Sequence, residues 1–82
     1  MITGAQIRGA RGMLNWSAPD LAARSGVSVP TIRRLEKESG STANAYERTL
    51  LDLKRAFEEA GVEFIGSPDD NPGVRLKTQK IT

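Results

Sequence analysis

The chain has 82 residues, enough for one small domain, which buries only about 60% of the surface its unfolded chain exposes. It contains no Cys and no His, which excludes disulfide frameworks, thiolate or imidazole metal sites, Cys/His nucleophilic pairs and the Ser-His-Asp arrangement. The net charge of +2 is unevenly spread: residues 1–35 carry five arginines against Asp20 alone, net +4, residues 36–70 carry net −5, and the remainder returns +3. A basic first half beside an acidic middle fits a domain that turns one end toward a polyanion. No apolar run approaches the roughly 20 residues of a membrane span, and "MITGAQIRGAR" lacks the apolar centre of a signal peptide, so a soluble cytoplasmic protein is expected.

In chain order, Thr3-Gly4-Ala5-Gln6 has capping-box spacing and predicts a first helix from Gly4, with Ile7, Ala10 and Leu14 on one face and an end near Asn15. Ser17-Ala18-Pro19-Asp20 is a second capping box, with Pro19 in the first turn, where a missing N–H costs nothing. Leu21 and Ala22 then face inward, and Gly26 closes this second helix as a left-handed residue. Ser28 caps a third helix, with Pro30 in its first turn and Val27, Ile32 and Leu35 on its core side. After the polar stretch "EKESGSTAN", Tyr46, Leu50, Leu53, Phe57 and Ala60 recur at steps of three and four, which predicts a long amphipathic fourth helix capped by Asn44 with Glu47 and ended by Gly61. The period then changes to two. "VEFI" and "VRLK" alternate around the turn-rich "GSPDDNPG", predicting a β-hairpin over residues 62–77, with a disordered tail over 78–82.

Two short helices joined by a tight turn containing Gly can pack at a wide angle and leave the second projecting from the domain, an arrangement suited to a major groove. With Val27, Ile32 and Leu35 turned inward, Val29, Pro30, Arg33 and Arg34 fall on the outward face. The stretch resembles the phage-repressor/Cro-like (Xre-type) helix-turn-helix family, on Ser17-Ala18, Leu21-Ala22, Gly26-Val27-Ser28, Ile32 and Glu36. The resemblance runs from about Thr3 to Phe57.

That resemblance implies a mainly α, four-helix repressor-like domain over residues 1–61, with a recognition helix at about 28–38. It also implies an internal ion pair between Arg11 and Glu36. Two departures stand out. Ala18 occupies a position where the family often has Gln, so contact with DNA there must come from backbone N–H groups or Ser17. Pro30 occupies a base-contacting position usually held by a polar residue, so it and Val29 can offer only shape and apolar contact, for instance to a thymine methyl, and hydrogen-bond readout falls to Arg34 and Arg33. The family's usual fifth helix is missing, and "AGVEFI…GVRL" resembles instead a subgroup of small bacterial regulators in which a hairpin follows the fourth helix.

The expected function is therefore a sequence-specific, double-stranded DNA-binding transcriptional regulator acting as a repressor. Its expected base contacts are Val29, Pro30, Arg33 and Arg34, and its expected phosphate contacts are Arg8, Ser17, Ala18, Ser28, Thr31, Lys37, Ser41, Thr42 and Asn44. Val62, Phe64, Val74 and Leu76 alternate onto one face of the hairpin toward the Phe57 side of the fourth helix, leaving Ile65 on the other face with Glu63, Arg75 and Lys77. Phe64, Ile65, Val74 and Leu76 are the expected dimer interface of a homodimer on an inverted repeat. The alternative is an antitoxin or accessory protein that binds a partner protein through the hairpin, with DNA binding as autoregulation. Trp16 is expected to be a core or hinge aromatic, and Asp69-Asp70-Asn71 a solvated turn that lacks calcium-loop spacing. No residue set supports catalysis, a metal or another cofactor.

Overall fold

A computed structural model of the chain describes residues 2–37, 47–67 and 69–77. Four helices, α1 (Gly4–Leu14), α2 (Ala18–Ser25), α3 (Val29–Lys37) and α4 (Glu47–Glu59), precede strands β1 (Val62–Ser67) and β2 (Asp70–Leu76). Ser41, Thr42, Asn44, Tyr46 and the tail after Lys77 lie outside the described residues.

The helix boundaries follow from local chemistry. Thr3 Oγ1 accepts the Gln6 N–H at 3.0 Å while Gln6 Oε1 accepts the Thr3 N–H at 2.8 Å, a reciprocal capping box that satisfies two otherwise unpaired donors. Asn15, left-handed at φ 56°, ends α1. Ser17 and Asp20 repeat the same box at the start of α2. Gly26 ends α2 at φ 79°, a conformation that costs a side chain about 1–2 kcal/mol. The buried Ser25 hydroxyl tightens this turn by donating to the Leu21 carbonyl at 2.7 Å and accepting the Val27 N–H at 3.1 Å. α3 then leaves against both α1 and α2.

One core lies between the four helices and the first strand residue: Ile2, Ile7, Ala10, Ala18, Leu21, Val27, Ile32, Leu35, Leu50, Leu53, Ala56, Phe57 and Val62 are all buried. Phe57 sits at its middle, stacked on Trp16 at 5.8 Å between ring centroids and meeting Phe64 edge-on at 5.9 Å. The Arg24 guanidinium covers Trp16, 4.6 Å from the ring centroid. Trp16 is thus a partly buried aromatic packed against the core, with a cationic cover.

β1 and β2 pair antiparallel, with Val62 opposite Leu76, Glu63 opposite Arg75, Phe64 opposite Val74 and Ile65 opposite Gly73. Pairing continues to Ser67 opposite Asp70, so the turn-rich segment also adds residues to both strands. A register shift between Ile65 and Ser67 makes this possible: Gly66 and Asn71 take positive φ of 74° and 52°, and a Cβ on Gly66 would collide with the Asn71 carbonyl. β2 lies along α1 and β1 against α4. The Gln6 amide fastens both strands, donating from Nε2 to the Gly73 carbonyl at 2.8 Å and the Ile65 carbonyl at 3.2 Å. No helix among the described residues is long and apolar enough to cross a membrane.

Candidate nucleic-acid interface on α3

α3 has two faces of opposite character. Ile32 and Leu35 are buried and hold it to the core, and the Glu36 carboxylate, also buried, receives Arg11 in a two-pronged pair, Nε to Oε2 at 2.7 Å and Nη2 to Oε1 at 2.9 Å. Arg11 also donates to the Trp16 carbonyl at 2.9 Å, and its bond to Glu36 holds the guanidinium pKa above its ordinary value. The pair implied by the family resemblance is therefore present, with its charges and geometry matched.

On the opposite face Pro30, Arg33, Arg34 and Lys37 are exposed. None of Arg33, Arg34 and Lys37 has an ion-pair partner among the described residues, whose ion pairs lie elsewhere. Helical residues are spaced by about 100°, so Pro30 and Arg34 share one ridge, and Arg33 and Lys37 a second ridge turned toward α1. Arg8, from α1, joins the second ridge by donating Nη1 to the backbone carbonyl of Glu36. Arg8, Arg33, Glu36 and Lys37 together line a shallow surface depression of about 270 Å³.

Three expected contact residues, Val29, Phe64 and Val74, are placed differently from the sequence-based expectation. Val29, expected to face outward, is half-buried against the core, because at the first turn of α3 its side chain reaches back over the turn from α2. The Ala18 side chain is buried in the core, with 5% exposed, which leaves its backbone N–H as the group for the expected phosphate contact. Phe64 and Val74, expected at a dimer interface, are half-buried against the helical core, which leaves Ile65 and Leu76 as the exposed apolar residues of the hairpin at 40% and 45%. Leu76, at the last position of β2, is thus not covered as Val62 opposite it is.

The start of α2 is electrostatically committed. Asp20 Oδ2 accepts the Ser17 N–H at 2.9 Å and Ser17 Oγ accepts the Asp20 N–H at 3.1 Å. These Ser17 bonds, with Arg24 nearby, hold the Asp20 carboxyl below the usual carboxylate range. A carboxylate already complements the positive end of this helix dipole and stands where an incoming phosphate would be repelled. At the start of α3, Ser28 Oγ donates to Thr31 Oγ1 at 2.9 Å, so these two hydroxyls present a joined polar corner.

Sequence inspection missed the grip of Arg8 on Glu36, the Gln6 fastening of the hairpin and the Ser25 turn bonds. Only the last left a local signal, a Ser directly before the turn glycine. No protein-family model matches the chain, and no curated protein matches it significantly.

Proposed function

We propose that the chain is a sequence-specific double-stranded DNA-binding regulator, acting as a repressor, in which α2 and α3 form a helix-turn-helix and the exposed face of α3 enters the major groove. The observation that carries this reading is the opposition of faces on α3. One side is fixed by Ile32, Leu35 and the Arg11–Glu36 pair, while the other presents to solvent arginines that have no ion-pair partner among the described residues. A helix fits a major groove about 12 Å wide, and an arginine can donate two hydrogen bonds to a guanine edge there. Pro30, on the ridge of Arg34, offers apolar contact. Repression is favoured because occupying DNA needs no further surface.

A single α3 spans few base pairs, so we place the chain in a homodimer on an inverted repeat, joined through the hairpin edges beside Ile65 and Leu76. Selection of bound duplexes from a random pool tests the function: an inverted repeat should be enriched, with half-sites one helical turn or a multiple apart. A pool with no enriched sequence would refute it. In the full chain, Ile65→Glu with Leu76→Lys should yield monomers by light scattering. The same exposed pair favours a second reading, a hairpin that holds a partner protein while the helices bind DNA, and stable co-purification with a small protein would select it.

A further inference from the structure

The adjacent arginines of α3 leave the helix about 100° apart, and only one of them joins the depression shared with α1. We propose that Arg33, Arg8 and Lys37 form a subsite for one phosphodiester of the DNA backbone, leaving Arg34 as the residue that hydrogen-bonds a base edge. This rests on the DNA-binding reading and divides labour within it.

Three cations line the depression together with one acid, Glu36. That carboxylate is already taken by two N–H bonds from Arg11, so it does not neutralise the other three. The negative end of the α3 dipole explains one bound cation, Arg8, which donates to the Glu36 carbonyl. It does not explain Arg33 and Lys37, which have no such bond among the described residues. Among the described residues Arg8 is anchored by one of its five N–H donors, which positions the guanidinium at the depression with its other donors available to an anion.

A second candidate phosphate site, the start of α2, carries the Asp20 carboxylate instead. The cationic depression therefore supplies, at the α1 flank of α3, the backbone grip that the α2 terminus withholds. A phosphate gripped there fixes how α3 lies in the groove and carries no sequence information, whereas Arg34 on the neighbouring ridge is free to read.

The test uses the full chain and two labelled duplexes of equal length, one selected from a random pool and one scrambled, titrated over a salt series. Arg33→Gln and Lys37→Gln should each weaken both duplexes by the same factor, roughly tenfold for a lost charged hydrogen bond. Each should also make the slope of log K against log salt shallower by about 0.9. Arg33→Lys should restore the slope, and Arg34→Gln should weaken the selected duplex more than the scrambled one. An Arg33→Gln protein that loses affinity for the selected duplex alone, or keeps the wild-type slope, overturns the phosphate subsite while leaving DNA binding intact. A wild-type chain that binds neither duplex overturns the function itself, and the subsite with it.

Discussion

α3 and the C-terminal hairpin lie against the same helical core, but they are held in different ways. α3 is fixed by buried Ile32 and Leu35, by the two-pronged Arg11 bond to Glu36, and by Arg8 on its last turn. The hairpin is held by Val62 in the core, by Phe64 and Val74 packed against it, with the edge of Phe64 on Phe57, and by one amide, that of Gln6. An ion pair and a guanidinium resist rotation of α3 about its axis, which apolar contacts alone tolerate. A helix that must present two ridges at fixed angles needs that resistance. A hairpin with open edges and two exposed apolar residues needs only to be kept near the core until a further surface covers it.

The largest effect that tests this contrast is expected at Phe57, in the middle of the core on which both regions rest and in contact with the hairpin through Phe64. Phe57→Ala should cost about 3–5 kcal/mol, since it leaves a cavity between Trp16 and Phe64. Denaturant unfolding followed by Trp16 fluorescence and by circular dichroism should still give one shared transition. Separate transitions would show that the hairpin is an independent unit.

Next comes Glu36→Ala, which strands the Arg11 charge and should cost about 2–4 kcal/mol. The double substitution Arg11→Met with Glu36→Leu should lose less than Glu36→Ala alone, because no buried charge is left unpaired. Thermal melts decide. Equal losses in single and double variants would mean that packing, and not charge, fixes α3.

Gln6→Glu sharpens the comparison from the hairpin side. Glutamate is a good capping-box residue, so helix rules alone predict a neutral or favourable change. The structure predicts a loss of about 1–3 kcal/mol, since a carboxylate would face the Ile65 and Gly73 carbonyls with no donor to offer. Hydrogen exchange should show the loss first in β1 and β2. An unchanged melting curve would mean that the hairpin does not depend on this amide.

The smallest effect is on pH dependence. The Asp20 carboxyl is lowered by its Ser17 bonds and that of Glu63 by its bond to Arg75. Groups with a lowered folded pKa stabilise the fold above their ordinary range, roughly pH 4, and that contribution is lost as pH falls through the lowered folded values. Melts of Asp20→Asn between neutral and acidic pH should therefore show a shallower acid loss than wild type. Identical slopes would remove the α2 capping box as a source of acid sensitivity.

Much of the local structure was legible in the residues. The two capping boxes, the Gly26 turn and the switch from period three-and-a-half to period two each depend on groups a few positions apart, where spacing alone fixes geometry. The bonds that define the candidate interface span longer separations. Arg8 reaches Glu36 across 28 positions and Gln6 reaches Gly73 across 67. Such contacts depend on how α1 crosses α3 and on the hairpin register, which no local pattern encodes. Val29 shows the same limit at short range: helical phase put it near the outward face, but the half-burial it has depends on how closely α2 approaches the first turn of α3.

The position of Gln6 has a consequence for timing. At the ~5–20 residues per second of translation, the interval between synthesis of Gln6 and of Gly73 is roughly 3–13 s. During that interval α1 can close its own cap, because Thr3 and Gln6 are both already made. The Nε2 group must meanwhile bind water, and the seat of the hairpin stays wet until β2 arrives. Fastening of the strands is thus a late event imposed by chain order. Changes at Gln6 that spare the cap should accordingly raise the unfolding rate and leave the folding rate of the helices unchanged.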